Sequence, residues 1–285
     1  MRIAIAGAFG QLGTELQRVL PGQIVPLGRE RLDLAGTGDI AAVLDEIRPD
    51  FVVNAAAYNL VDRAEEEPQT AFAVNALGPM RLARWCGARD VPLLHVSTDY
   101  VFGLDAGRCT PYAESEPVSP VSAYGLSKAA GESAVRAYCP RHFLVRTCGL
   151  YGLQPTRGKG NFVETMLRLG REREELRIVD DQRCTPTSVA DLAPAIAALL
   201  ETDAYGTYHA TNAGDATWRQ FAEEIFRQAG LSTRVVPVTS AEYGAKARRP
   251  SYSVLDGSKL RALTGLTLPR WQEALTAYLS SRSTS

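Results

Sequence analysis

A tyrosine and a lysine stand four residues apart in "AYGLSK", at Tyr124 and Lys128. On a helix that spacing puts both side chains on one face. A free phenol, with a pKa of about 10, gives up its proton slowly at neutral pH, and a nearby ammonium lowers that value by favouring the phenolate. The pair could therefore be a proton donor and the charge that tunes it. A Tyr–Lys pair on a solvated helix face has the same spacing, so the surrounding chain must separate the two.

"VSTDYVF" ends an apolar run with Ser97, Thr98 and Asp99. Hydroxyls at such a strand tip face a ligand crevice, or they cap a turn. Near the N-terminus, Gly7, Gly10 and Gly13 follow "RIAIA" in a G-x-x-G-x-x-G pattern. Glycines there permit a tight turn and a close backbone approach to a pyrophosphate at the positive end of a helix. The next apolar run ends in "VPLGRERLDL", with Gly28 and Arg29 at its tip. An NAD-selective site usually has a carboxylate at that tip for the ribose 2′-hydroxyl. Arg29 could instead pair with a 2′-phosphate, which favours NADPH and leaves NADH possible; otherwise it is a solvated loop charge. Asp33 and Leu34 fall where the chain turns back, in position to bracket an adenine. The small side chains of "NAAA", Asn54 to Ala57, leave room for a flat cofactor or simply pack under helices. The acidic run Glu65–Glu67 reads as the solvated first turn of a helix and not as a metal site.

These residues need a scaffold, and the first half supplies the pattern of one. "RIAIAG", "QIVPL", "DFVVNAA", "VPLLHVSTD" and "HFLVRT" read as buried strands. Amphipathic stretches separate them, including "QLGTELQRVL", "GDIAAVLDEIRP", "PQTAFAVNALGPMRLARWCGARD" and "VSAYGLSKAAGESAVRAYC". That alternation predicts an α/β protein with a Rossmann-type, doubly wound parallel sheet. Beyond Thr147 the rhythm breaks into shorter elements, read as a smaller C-terminal α/β substrate-binding part. The expected division is a dinucleotide-binding domain over 1–147, with some returning C-terminal segments, and a remainder over 148–285 packed on it.

The formal net charge is -1 and no basic block occurs, which argues against nucleic acid as a partner. Five cysteines are scattered without a C-x-x-C pair, so neither a disulfide framework nor a zinc site is expected. The apolar run at the N-terminus is too short for a signal peptide or a spanning helix. A cytoplasmic protein, free of membrane and metal, is the expectation, with monomer and homodimer both open.

Taken together, the glycine turn, "STDYVF" and "AYGLSK" resemble the extended short-chain dehydrogenase/reductases. More narrowly, they resemble the dTDP-4-dehydrorhamnose reductase family, to which "RPDFVVNAAAYNLVDRAEEEP", "GNFVETMLRL", "DDQRCTPT" and "ARRPSYSVLD" are also similar in order. The resemblance implies NADPH-dependent reduction of the C4 keto group of dTDP-4-dehydro-L-rhamnose, a step toward cell-wall polysaccharide. It implies Tyr124 as proton donor to the keto oxygen and Thr98 as a hydrogen-bond donor to the same oxygen. Lys128 would hold the nicotinamide ribose and lower the Tyr124 pKa. Gly7, Gly10, Gln11 and Leu12 would line the cofactor diphosphate, and Gly28, Arg29, Asp33 and Leu34 would surround the adenosine. Ala57, Tyr58 and Asn59 would lie along the cofactor. Asp99, Tyr100, Asn161, Phe162 and Arg249 would hold the nucleotide sugar. Two alternatives share this pattern: a 4-ketoreductase for another nucleotide deoxysugar, and a non-catalytic NADP-binding subunit of the methionine adenosyltransferase β type.

The sequence departs from the family at one place. Some members read R-T-S-W after the fifth strand, with the indole on the sugar, whereas this chain reads Arg146-Thr147-Cys148-Gly149. The site is then either more open or filled by another side chain, with Tyr151 or Leu150 the candidates in sequence.

Overall fold

The structure, a computed structural model, describes residues 1–36, 38–154 and 160–282. The last residues of the expected C-terminal part, 283–285, lie outside them. The first half alternates as its pattern predicts: β1 (Arg2–Ala6), α1 (Gln11–Val19), β2 (Gln23–Leu27), α2 (Ile40–Ile47) and β3 (Phe51–Asn54). Two short helices, α3 (Val61–Glu66) and α4 (Pro68–Phe72), precede α5 (Gly78–Ala88). Then come β4 (Leu93–Thr98), α6 (Ala123–Tyr138) and β5 (His142–Thr147). The second half adds β6 (Leu150–Tyr151), α7 (Phe162–Glu172), β7 (Glu175–Val179), β8 (Arg183–Cys184) and β9 (Thr187–Ser188). It continues through α8 (Val189–Leu200), β10 (Gly206–His209), β11 (Ala216–Thr217), α9 (Trp218–Ala229) and β12 (Arg234–Val238).

Six strands form one parallel sheet in the order β10-β5-β4-β3-β1-β2. The chain runs outward from β1 to β2, then crosses back to β3 on the other side of β1. That reversal opens a crevice above the carboxyl ends of β1 and β3, where ligands bind in such sheets. Pro26 has no N–H to give a ladder, and it sits in β2, the edge strand. One apolar layer, including Ile3, Ile5, Leu16, Val53, Leu192 and Ile196, lies under α1 and α8. The opposite layer, including Ala4, Leu44, Val52, Leu82 and Leu144, lies under α2, α5 and α6. A third cluster around Tyr151, Met166, Phe221, Trp271 and Leu275 belongs to the second half.

Two features differ from the sequence pattern. The stretch read as one long helix after Glu67 is broken between α4 and α5 by a wide π-helical turn over Ala73–Leu77. Pro79 has no N–H to donate to the carbonyl of Asn75, so the regular ladder cannot pass through it. Gly131 of α6 fills the gap, since a Cβ there would collide with that same carbonyl. The sheet also has a sixth strand, β10, which returns from the second half to pair in parallel with β5.

Candidate active site

The crevice floor is built by glycine. Gly7 has a φ of +76°, which L side chains rarely adopt, and a Cβ there would lie 2.6 Å from the Ala56 nitrogen. At Gly13 a Cβ would collide with the Gly7 carbonyl, so its absence lets α1 lie close against the turn. Gly10 is the N-cap of α1, and among the described residues no side chain caps it. The first amides of α1, those of Gln11 and Leu12 among them, therefore remain free for an anion. A cradle that any Cβ would fill, ending on an uncapped helix, fits a dinucleotide pyrophosphate. The Leu12 side chain itself is only 5% exposed and belongs to the core, so only its backbone can take the expected part. Gln11 accepts a hydrogen bond from Asn161 Nδ2 at 3.1 Å, which ties this loop to the N-cap of α7.

At the tip of β2, Arg29 Nε lies 3.3 Å from Asp33 Oδ2, and the arginine is exposed. Asp33 also accepts from the Ala35 amide at 2.9 Å. Burial pushes its carboxyl up, but the Ala35 amide and Arg29 outweigh this and leave it below the usual range. Two of the four expected adenosine neighbours, Arg29 and Asp33, are thus bonded to each other. Leu34 is buried against Gly78 of α5 and its carbonyl accepts from Arg81, so its side chain supports the loop from beneath. The Glu30 carboxylate folds over Gly28. After β3, Ala57 and Asn59 are exposed beside Tyr58. Asn75, in the π turn, clamps the Tyr58 backbone, accepting from its N–H and donating to its carbonyl, both at 2.9 Å. It also donates to Ser127 Oγ at 3.0 Å. Asn75 lies in a helical run without a motif, and nothing in the sequence pattern singled it out.

Tyr124 and Lys128 occupy the first turns of α6, which Ser122 caps through the Gly125 amide at 3.1 Å. The Tyr124 hydroxyl is hydrogen-bonded to Thr98 at the tip of β4. Thr98 Oγ1 donates its own hydrogen to Asp99 Oδ1 at 3.0 Å, so it accepts from the phenol. Asp99 is buried and receives Ser253 Oγ on its other oxygen at 2.6 Å. Its carboxylate is turned to Thr98 and Ser253 and away from open space, so it orients the hydroxyl instead of reaching a ligand. Tyr100 meets the Tyr124 ring edge-on, with centroids 5.7 Å apart. Burial raises the Tyr124 pKa, an effect larger than the opposing bond from Thr98. The phenol is therefore neutral and carries its proton at pH 7.

Lys128 does not tune that phenol in this arrangement. Its Nζ donates to the Val96 carbonyl at 2.7 Å, and its side chain is 1% exposed. Burial brings its pKa from the usual 10.5 down to about 8, although Glu132 opposes the change. The i,i+4 spacing put both groups on one face, but the depth of the crevice turned the ammonium back toward β4. Beneath them Arg146 donates to both oxygens of Glu132, at 2.9 and 2.7 Å, and Ser97 Oγ donates to Glu132 Oε1 at 2.6 Å.

On the second-half side, Arg249 gives both guanidinium arms to Asp62, at 3.1 and 2.7 Å, and also bonds Tyr100. Asn161 donates to the Gly152 carbonyl at 3.1 Å, and Phe162 is half-buried beside it. Neither candidate for the space at Gly149 fills it. Tyr151 is fully buried against Phe221 and Tyr278, and Leu150 packs on the sheet's apolar layer. The neighbours are the Pro186 backbone, whose Cα would lie 3.3 Å from a Cβ at Gly149, and Trp218, whose Cη2 would lie 3.6 Å from it.

The family model described as RmlD substrate binding domain matches residues 1–283. The chain belongs to this family. Among its relatives, a dTDP-4-dehydrorhamnose reductase of Streptomyces griseus is 43% identical, covering 96% of this chain and 92% of its own length. A probable dTDP-4,6-dihydroxy-2-methyloxan-3-one 4-ketoreductase of Streptomyces antibioticus is also 43% identical, over 96% and 93%. The crystal structure of a dTDP-4-dehydrorhamnose reductase from Bacillus anthracis, in complex with NADP, matches with a TM-score of 0.92 and 41% identity. It covers 98% of this chain and 99% of its own. The resemblance to the dTDP-4-dehydrorhamnose reductase family and the doubly wound fold expected from the sequence are both borne out.

Proposed function

We propose that the protein reduces the C4 keto group of dTDP-4-dehydro-L-rhamnose to give dTDP-L-rhamnose, with NADPH as reductant. The observation that carries this reading is the protonated Tyr124 phenol, bonded to Thr98 on the sheet edge that also holds the Gly7 cradle. Family membership and the relatives named for this reaction support it. NADP in the Bacillus anthracis relative supports the choice of cofactor. When bound, NADPH supplies the hydride that C4 receives.

The remaining work falls to the chain. A keto oxygen between Tyr124 and Thr98 takes the place that Thr98 Oγ1 now holds as acceptor. The phenol, kept neutral by burial, gives its proton to that oxygen as negative charge develops there. With the keto oxygen in place, the Thr98 hydroxyl turns its one hydrogen from Asp99 Oδ1 to that oxygen, and Asp99 keeps its bond from Ser253. Lys128 holds the ribose hydroxyls, and the amides at Gly10–Leu12 hold the diphosphate. Residues 1–147 carry the cofactor in this reading, and the second half of the chain carries most of the sugar nucleotide.

Tyr124→Phe tests it. The ring stays and the proton donor goes, so turnover should fall at least about a hundredfold, within the range of general acid catalysis. NADPH binding, followed by its fluorescence, should change less than about threefold, because the ring's packing is retained. Unchanged turnover would refute the role of the phenol. Identifying the product separates this reaction from reduction of another keto-sugar.

A further inference from the structure

The geometry points to Trp218 as the platform against which the sugar ring of the substrate lies, an inference that rests on the nucleotide-sugar reading above. Trp218 opens α9, half-buried, with its benzo edge against the bare backbone of Gly149. Gly149 has a φ of +54°, and nothing but hydrogen projects from it toward the indole. Cys148, one residue back, bonds Asp99, the carboxylate that orients Thr98. The indole therefore stands two residues' reach from the hydroxyls that meet the keto oxygen.

Its orientation is fixed from behind. Phe162 meets the indole at 4.7 Å between centroids and 47°. Phe162 in turn stacks on Phe221 at 5.4 Å and 15°. This stack packs on the ring and leaves it half-buried, and Asn161 links it to the cofactor loop through Gln11.

The other two tryptophans differ. Trp85 and Trp271 are each 5% exposed. Their N–H groups donate to Asp45 Oδ1 at 2.9 Å and to the Asp215 carbonyl at 3.2 Å. Trp218 has no acceptor for its N–H among the described residues. A rigid, half-wet indole with an unused donor suits a ligand that is apolar on one face and carries hydroxyls at its rim. A 6-deoxyhexose is such a ligand, since its ring C–H groups and C6 methyl present an apolar face. The position beside Cys148 and Gly149 selects the sugar over the base, because the reacting carbon must lie at Thr98 and Tyr124. The nucleoside is a whole diphosphate away.

The test is calorimetric titration of the NADP-loaded protein with dTDP-L-rhamnose and with dTDP. Trp218→Leu keeps apolar bulk on Phe162 and removes the flat face, while Trp218→Phe keeps a ring. Trp218→Leu should weaken dTDP-L-rhamnose about tenfold or more, the size of one aromatic contact. Affinity for dTDP should stay within about twofold, and Trp218→Phe should fall between, as expected for a contact made by the ring face. Equal losses for both ligands would move the indole to the base or diphosphate and overturn the inference. So would no loss for either, or a wild type that binds the two ligands alike. If the wild type discriminates as expected yet oxidises no NADPH with the keto-sugar, the ketoreductase reading falls and the platform stands.

Discussion

Lys128→Met should make the folded protein more stable at neutral pH while removing its grip on the cofactor. The ammonium is 1% exposed, and burial brings its pKa from 10.5 to about 8. A difference of about 2.5 between those values is worth about 3 kcal/mol, at 1.36 kcal/mol per pH unit. Its sign follows from proton counting. Between pH 8 and 10.5 the unfolded chain holds the proton that the folded chain has released, so stability rises with pH there. Below pH 8 the folded state carries a buried cation, and the whole destabilisation is present. Methionine has similar length and no charge, but it forfeits the 2.7 Å bond to the Val96 carbonyl, which offsets about 1 kcal/mol. The variant should therefore be about 2 kcal/mol more stable than the wild type at pH 7. Urea unfolding at several pH values measures this. The gap should shrink by about 2 kcal/mol between pH 7 and pH 9.5, as the wild type ceases to bury a charge. A variant less stable than the wild type at pH 7, or a gap that does not move with pH, would refute the reasoning. NADPH should bind the variant at least about tenfold more weakly, since the ribose loses its cation.

Arg29→Asp should shift the cofactor ratio toward NADH, because a 2′-phosphate loses its cation and a 2′-hydroxyl gains an acceptor. The expected change in the ratio of kcat/KM values is about tenfold or more, and an unaltered ratio would leave Arg29 as a loop charge paired with Asp33. Glu132→Ala should destabilise by about 3–5 kcal/mol, since it strands the Arg146 guanidinium, 1% exposed, without its carboxylate. Thermal unfolding reads that loss, and Glu132→Gln should recover part of it through its remaining acceptor.

Much of this was legible in the chain. Short apolar runs alternating with amphipathic ones dictate a parallel sheet, because such runs bury both faces only under crossover helices. Three glycines at the first strand–helix turn dictate the cradle, because only glycine accepts the φ at Gly7 and the close approach at Gly13. The hydroxyls of Thr98 and Tyr124 were placed by the strand and helix that carry them. Those are local properties, set within one or two elements.

What the tertiary structure alone decided are the contacts between distant segments. Ser253 reaches Asp99 from 154 positions away and fixes the direction of the Thr98 hydroxyl. Trp218 arrives beside Gly149, where neither sequence neighbour fits. The same holds for charge. Spacing put Lys128 on the face of Tyr124, but the depth of its burial and the carbonyl of Val96 determined where its ammonium points and how tightly it holds a proton. Periodicity specifies which face a side chain shares, and only the folded surroundings specify the dielectric and the partners it meets there.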